Sequence, residues 1–384
     1  MGHRSFGKCS LIFQMSFVVL FVHDEKHNGS YTKPLRGNDT RRLNINQKKE
    51  RTLYLPTTKV YSATSVYLFL RNFVRQFRNE CKTEKMKITL SGSLGHIGRP
   101  LTQELVQKNH SVTVISSNPE RQKDIIDLGA TAAIGSLEDA DFITSAFEGA
   151  DAVFCMVPPA NYFDPHLDLL GYYEALGHNY ANAIAQNGVK KVVNLSTIGG
   201  NLEKGNGILL GAHHVENILN ALSSDVAITH IRPTEFYYNL FPQAQSAKAN
   251  GFISSNIDAD VTNSWVSPED IASVVAEEIT TPPSGRNVRY VASDEVTYRE
   301  LVAILGKAIG NPDLKWVTIT DEQMREGLEA AGMQPAVAAG MTEMYASINS
   351  GLLYEHYNLH KPAVIGQVKM NDFAEDFANA YRRL

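Results

Sequence analysis

Met86-Lys-Ile-Thr-Leu-Ser-Gly92-Ser-Leu-Gly95-His-Ile-Gly98-Arg-Pro-Leu101 is the stretch that decides the fold of this chain. Lys87 to Ser91 reads as a short, apolar strand, and three glycines follow at once with two residues between each pair. Leu101, Leu105 and Val106 then recur at helical spacing, and Asn109 suits the left-handed position that closes a helix. Strand, glycine turn and helix form the opening of a dinucleotide-binding βαβ unit. In such a unit Gly92 permits the tight turn, Gly95 lets the backbone approach a pyrophosphate, and Gly98 lets helix and strand pack closely. The helix N-terminus would meet the anion with free N–H groups and the positive end of its dipole.

Beyond this unit the alternation continues. Ser111 to Ile115, Thr131 to Ile134, Ala152 to Val157, Val189 to Leu195 and Val226 to Ile231 are strand candidates separated by helical stretches. Most are nearly continuous in apolar residues, as parallel strands covered by helices on both faces must be. The expected fold class is therefore α/β, a doubly wound parallel Rossmann sheet with a smaller C-terminal α/β lobe. The Rossmann part is placed at residues 86–235 and the substrate-side lobe at residues 236–384. In the latter, Ser267-Pro-Glu-Asp reads as a helix cap with Pro268 in the first turn. Two strand-then-helix units follow, Val288 to Ala292 into Tyr298 to Ile309, and Lys315 to Ile319 into Glu322 to Ala331.

The first 85 residues read differently. They mix an apolar stretch, Ser10 to Val22, with basic, Asn-rich segments lacking a sustained period. That stretch is shorter than the roughly 20 residues of a spanning helix. It has the length of a signal-peptide core behind Arg4 and Lys8, but no small-x-small site follows Val22. Residues 1–85 are expected to lie outside the fold, as a disordered extension or a mis-assigned start with Met86 the true one. The sequons at Asn28, Asn38 and Asn194 carry no weight, because Asn194 falls in an expected core strand. Across all 384 residues the composition is 43% hydrophobic and 20% charged, with a formal net charge of -5. Nothing there offers the basic footprint of a protein that grips nucleic acid directly. Cys9, Cys81 and Cys155 are too few and too scattered for a disulfide framework or a zinc site. A reducing, cytoplasmic setting without a membrane span is the expectation.

A site for NAD places a carboxylate at the end of the second strand, on the ribose 2′-hydroxyl. Here the chain reads Ile115-Ser116-Ser117-Asn118-Pro119-Glu120-Arg121, with no carboxylate at the strand end. Two hydroxyls and Arg121 would accept a 2′-phosphate, so NADP is preferred and NAD is the alternative. Arg121 read by itself is equally a solvated helix residue.

From Met86 onward the chain resembles the NmrA-like branch of the atypical short-chain dehydrogenases, which includes NADPH-quinone reductases, triphenylmethane reductase and a redox-sensing regulator. The resemblance rests on the glycine turn, Glu148-Gly-Ala-Asp-Ala-Val-Phe, Leu195-Ser-Thr-Ile-Gly199, Gly211-Ala-His-His-Val-Glu216, Thr229-His-Ile-Arg-Pro233 with Asn239, and Asp270-Ile-Ala272. It implies that Ser91 to Gly98 wrap the pyrophosphate, which takes in Ser93, Leu94, His96 and Ile97 besides the glycines. It implies further that Ser116 to Arg121, including Ser117 and Asn118, meet the adenosine ribose and that Ser136 and Leu137 lie by the adenine. Val157, Pro158 and Thr197 would approach the nicotinamide. Two positions depart from many relatives, Ser117 standing where they have Arg and Ser136 where they have Asp.

Ordinary short-chain dehydrogenases pass a proton through a Tyr-x-x-x-Lys pair after the fifth strand. No such pair follows Ser196, and Tyr357-Asn-Leu-His-Lys361 lies too near the C-terminus to serve. His213 and Glu216 would share a helix face there and are the catalytic candidates, with a structural hydrogen-bond pair as the alternative. His356 and His360 have metal-pair spacing, but no further ligand completes a set, so no metal is expected. The aromatic group Phe236, Tyr237, Tyr238 and Phe241, with Tyr162 and Phe163, falls where strand ends open a crevice. These rings either sandwich a flat acceptor or pack between the lobes. Two functions follow: an NAD(P)H-dependent reductase of a quinone-like or other flat small molecule, or a non-catalytic NAD(P) redox sensor that binds a protein partner.

Overall fold

The computed structural model describes residues 85–384, and the expectations placed on the preceding residues, with Cys9, Cys81, Asn28 and Asn38, lie outside them. The chain runs β1 (Lys87–Leu90), α1 (Gly98–Gln107), β2 (Ser111–Ser116), α2 (Arg121–Asp127), β3 (Thr131–Ile134), α3 (Ala140–Ala146), β4 (Ala152–Met156), α4 (Leu169–Asn187), β5 (Lys191–Leu195), α5 (Leu210–Asn220) and β6 (Ala227–Pro233). It continues through β7 (Glu235–Phe236), α6 (Gln243–Asn250), β8 (Phe252–Ser255), β9 (Thr262–Val266), α7 (Pro268–Thr280) and β10 (Arg286–Val291). The last part comprises β11 (Asp294–Thr297), α8 (Tyr298–Ile309), β12 (Lys315–Thr318), α9 (Asp321–Ala330), α10 (Pro335–Ser350), α11 (Glu355–Leu359) and α12 (Met370–Arg383).

Seven parallel strands form the main sheet in the order β10-β6-β5-β4-β1-β2-β3. The order reverses between β1 and β4, the switch point beside which open α/β sheets bind their ligands. Side chains alternate across the sheet, as the strand period demands. Ala152 and Phe154 of β4 join one core with Leu101 and Leu105 of α1 and Ile271, Val275 and Ile279 of α7. Val153 and Cys155 face the other way, into a core with Ile143 of α3, Tyr180 and Ile184 of α4, and Val215 and Leu219 of α5. Cys155 is fully buried, and burial pushes its thiol far above the ordinary range, which leaves it an inert apolar filler. Asn194 lies in the core strand β5, its amide 3.1 Å from Nδ1 of His230.

The local punctuation follows from the sequence. Asn109 adopts φ +64°, and Ser267 accepts from the Asp270 N–H at 3.0 Å as the cap of α7. Thr297 and Glu300 form a reciprocal capping box at α8.

A third core lies in the smaller lobe, around Tyr237, Trp265, Tyr298, Leu301, Leu305, Phe373 and Phe377. A three-stranded sheet, β11-β9-β7, and a pair, β12-β8, build that lobe. The chain does not divide cleanly at residues 235/236 as expected. It enters the lobe with β7 to β9, returns to the main sheet with α7 and β10, and leaves again with β11. The expected strand from Val288 thus belongs to the main sheet, on the outer side of β6. Its exposed edge residues, Arg286 to Val288, give it no two-faced apolar signature. Among the described residues no helix is long and apolar enough to cross a membrane.

One core position works against stability. Lys191, at the start of β5, is 4% exposed, and its Nζ has no hydrogen-bond partner among the described residues. Burial lowers its pKa to about 8, with Glu278 opposing the shift. A lysine pKa lowered on folding makes the folded state bind fewer protons than the unfolded chain. The penalty is therefore complete below about pH 8 and relieved as pH rises towards the unfolded value. Lys191→Met is expected to stabilise the protein by about 1–3 kcal/mol at neutral pH. Denaturant unfolding at a series of pH values checks this, and the gain should shrink on the alkaline side.

Candidate functional site: a nucleotide crevice

The glycine turn crosses the edge of the sheet at the switch point. Gly92 has φ +92°, and Ser93 follows with φ +56°. Two successive positive φ values reverse the chain so that Ser91 N–H donates to Phe154 O and Ser93 N–H to Ile115 O, both at 3.0 Å. The turn is thereby stitched to the strands on either side of β1. At Gly98 a Cβ would overlap the carbonyl oxygen of Ser93, whereas at Gly95 it would stand 3.5 Å from Gly92 O, an ordinary contact. The three glycines therefore have different reasons. Gly92 and Gly98 are required by the fold, while the bareness of exposed Gly95 serves whatever approaches from outside. The first turn of α1 carries no side-chain cap and no acidic residue. Arg99 and Leu101 N–H donate to Gly95 O and Ile97 O and Pro100 has none, so the donor that this turn offers an anion is the N–H of Gly98, at the end of the glycine turn.

Leu94 and Ile97 point into the core, so only their backbones can line the crevice. Ser116 is buried and linked to the turn, its Oγ lying 2.9 Å from the Ser93 hydroxyl and accepting from Asn118 N–H at 3.2 Å. Ser117 and Arg121 are exposed at the same strand end. Arg99 is a residue the sequence reading missed. Its guanidinium reaches Asp124 at 3.4 Å, and Arg121 reaches the same carboxylate oxygen at 3.3 Å. Two cations therefore flank one carboxylate beside the end of β2. The signal was an arginine directly after Gly98, which only the fold carries across to α2. Past β3, Ser136 Oγ accepts from Glu138 N–H, and Leu137 O accepts from the Asn179 amide at 3.1 Å.

On the other side of the switch point, β4 ends at Met156, whose carbonyl accepts from Tyr180 OH at 2.6 Å. Its N–H donates to Ser91 Oγ at 2.8 Å. Val157 and Pro158 continue from it, with Tyr172 OH donating to Pro158 O at 3.3 Å. Thr197 is half-buried at the end of β5, between buried Ser196 and Ile198.

Aromatic rings close the crevice. His96, from the turn itself, stacks on Tyr238 at 4.8 Å, and Tyr238 stacks on Phe236 at 5.0 Å, with interplanar angles near 20°. Burial, and to a lesser degree nearby Tyr162, push the Tyr238 phenol up to about 12, so it stays protonated and able to donate. Tyr162 is half-buried, and burial raises its pKa as well. Tyr237 does not belong to this group. It points away into the lobe core, 1% exposed, between Trp265 and Phe373, and its hydroxyl donates to Val368 O at 3.0 Å. Its neighbours on either side face the crevice, and reading all three as one cluster overlooked that alternation. Phe241 likewise packs on Phe373 in the lobe, while Phe163 is exposed. The carbonyl of Tyr162 accepts from Gln334 N–H at 2.8 Å. Gln334 in turn lines a cleft of about 250 Å³ with Leu167, Asp168, Gly207, Gly211 and Glu343.

His213 and Glu216 are brought to the end of β5, but each is engaged in structure. His213 Nδ1 lies 2.9 Å from Gly200 O and its Nε2 2.9 Å from the Asn217 amide, so both ring nitrogens are occupied. Glu216 is buried and forms a two-pronged ion pair with Arg232, Nε to Oε1 at 2.8 Å and Nη2 to Oε2 at 2.6 Å. It also accepts from Ser196 Oγ at 2.5 Å. Arg232 goes on to Tyr290 OH, which contacts His356 Nδ1 at 2.9 Å. The His356 and His360 rings stack at 4.1 Å, and His360 Nδ1 contacts the His356 carbonyl at 2.8 Å.

With this geometry in view, residues 92–282 match the NAD(P)H-binding family. That stretch of the chain belongs to the NAD(P)H-binding family. An NAD(P)H azoreductase from Xenophilus azovorans is 25% identical over 260 residues, 67% of this chain and 86% of that protein. Among solved structures, triphenylmethane reductase from Citrobacter sp. superposes with a TM-score of 0.63 at 16% identity, over 76% of this chain and 99% of its own. An NADPH-dependent quinone oxidoreductase from Escherichia coli gives 0.62 at 18% identity, over 75% and 98%. At such identities these two structures speak for the fold.

The different reasons for the glycines are separable by experiment. Gly98→Ala should lower the melting temperature and abolish nucleotide binding together, because the added methyl meets backbone. Gly95→Val should leave the melting temperature within about 3 °C, the size of a surface substitution, and still abolish binding. Thermal unfolding and calorimetric titration with NADPH read both.

Proposed function

We propose that this protein is an NAD(P)H-dependent reductase that acts on quinone-like or other flat, electron-poor small molecules, with NADP preferred over NAD. The observation that carries the reading is the ring stack of His96, Tyr238 and Phe236 built directly onto the glycine turn. A flat aromatic wall beside a nucleotide site offers a planar acceptor a stacking surface. When bound, the reduced nicotinamide supplies the hydride. The chain supplies the remainder. Gly95 admits the pyrophosphate, the N–H of Gly98 and the backbone of the glycine turn hold it, and Arg99 with Arg121 receive a 2′-phosphate. The Tyr238 hydroxyl, protonated throughout the neutral range, is available to donate to a carbonyl oxygen or azo nitrogen as negative charge develops there. The azoreductase and quinone oxidoreductase relatives support this acceptor class. Drawing on a soluble nucleotide, such an enzyme would work in the cytoplasm.

The second reading is a nucleotide-responsive binder without turnover. It draws on the engagement of His213 and Glu216 in structural bonds. Loss of reduced-nucleotide absorbance across a panel of quinones and azo dyes separates the two. Turnover with at least one of them is expected, and Tyr238→Ala should lower kcat/KM about tenfold, a loss of roughly 1.4 kcal/mol in transition-state binding. Tight NADPH binding with no oxidation by any of them would establish the binder instead. The double variant Arg99→Ala/Arg121→Ala should weaken NADPH binding about tenfold or more while leaving NADH nearly unchanged, the loss of one or two charge-assisted hydrogen bonds to phosphate. Calorimetric titration with the two nucleotides measures that difference.

A further inference from the structure

Beyond the loop that follows β4, three stretches wall the cleft of about 250 Å³: the start of α4, the 3₁₀ turn Gly207–Leu209 that leads into α5, and the first half of α10. None of its lining residues belongs to the glycine turn or to the ring stack of the crevice. Backbone contacts fix its walls. A Cβ at Gly207 would overlap the carbonyl oxygen of Gly340, so α10 lies directly on the turn. Gln334 N–H is held by Tyr162 O at 2.8 Å, which pins the start of α10 to the loop.

The lining is largely apolar, as small-molecule sites are. Leu169, Leu170, Ile208 and Leu210 are half-buried in it, which leaves part of each side chain for a guest. An apolar cavity of about 150 Å³ accepts benzene, so this space has room for one ring and a short chain. Asp168 and Glu343 are the only ionisable groups of the lining; they come from different elements, and both are exposed. One oxygen of Asp168 caps α4, accepting from Gly171 N–H at 3.0 Å, and neither carboxylate meets a cation among the described residues. Gln334, the remaining polar side chain of the lining, is already engaged. Its oxygen accepts from Val337 N–H at 2.9 Å, and its amide lies 3.5 Å from Leu167 O. The cleft therefore offers apolar contact and negative charge, with no cationic side chain to hold an anion.

We infer that this cleft is a second small-molecule site, which takes an organic cation, an ammonium group on a one-ring or short-chain apolar body. The body covers the leucines and Ile208. The ammonium stands in the field of the two carboxylates, where apolar walls weaken the screening by water. Binding there requires neither the nucleotide nor turnover at the crevice.

Saturation-transfer titration of the full-length, nucleotide-free protein tests this with phenethylamine, charged at neutral pH, against phenethyl alcohol, which has the same body and no charge. The amine should bind saturably and about tenfold more tightly, the product of two partly screened ion pairs. That preference should shrink as salt is raised. Asp168→Asn removes a charge and keeps a residue that caps helices well. Combined with Glu343→Gln it should bring amine and alcohol level, each substitution alone taking about a threefold share. Should the Asp168 variant not fold, Glu343→Lys, at an exposed position of α10, reads the same preference and should abolish it. Equal binding of amine and alcohol by wild type would overturn the inference, as would amine binding undiminished in these variants or no saturable binding at all. NADPH oxidation by quinones is read separately, so either proposal can fail while the other stands.

Discussion

Seven residues carry the chain from its first strand into its first helix, and they can do so because the bare Cα of Gly98 lies against the carbonyl oxygen of Ser93. That contact draws the N-terminus of α1 down onto the end of β1, the strand on which the sheet reverses its order. Because every strand of the sheet is parallel, all the loops at its C-terminal edge gather on the side where this turn sits. The Ser116 hydroxyl, the Met156 N–H and the His96 ring all take their places by contact with the turn or its flanks. The crevice is in this sense an outcome of one close backbone approach.

Much of this was legible in the amino-acid order, for a physical reason. A parallel strand covered on both faces has to be apolar at nearly every position, and Ala152–Met156 carries that mark without help from its surroundings. Positions with positive φ and capped helix starts are likewise local facts, as Gly92, Asn109 and Ser267 show. What escaped was set by distance in the chain. Arg99 and Arg121 lie 22 positions apart and meet only because α1 and α2 project from neighbouring strands towards one carboxylate. Arg286–Val291 leaves three exposed residues on a sheet edge, and nothing in its composition says which sheet it joins. Tyr237 shares its neighbours' chemistry, and only the lobe core behind it shows that it turns the other way.

The pair Glu216 and Arg232 illustrates how a residue with catalytic chemistry can be claimed by structure. Each is 4–5% exposed, and a buried charge is tolerable only when fully met by its partner. Here the guanidinium spans both carboxylate oxygens and the Ser196 hydroxyl takes up one of them again. The arrangement ties α5 to β6 and fixes the end of β5, from which Thr197 follows. In the ordinary members of the wider fold, a proton-passing pair stands in this region of the chain. This protein has a rigid brace there instead, and its aromatic residues are left to shape the crevice from the opposite side.

The route of the chain between the main sheet and the smaller lobe bears on how a guest could enter. The backbone passes from one to the other after β6, comes back after β9 and leaves once more after β10. Two bodies joined by a single strand can swing like a door, whereas three crossings act as three straps, and opening one would stretch the others. The segment leading into α12 adds a further tie, Gln367 and Val368 donating their N–H groups to the Asp270 carboxylate of α7 at 3.0 and 3.2 Å. A slot strapped in this way has a fixed width. On the proposed function, a flat acceptor would have to fit that opening as it stands, since none of the straps can lengthen to let it widen.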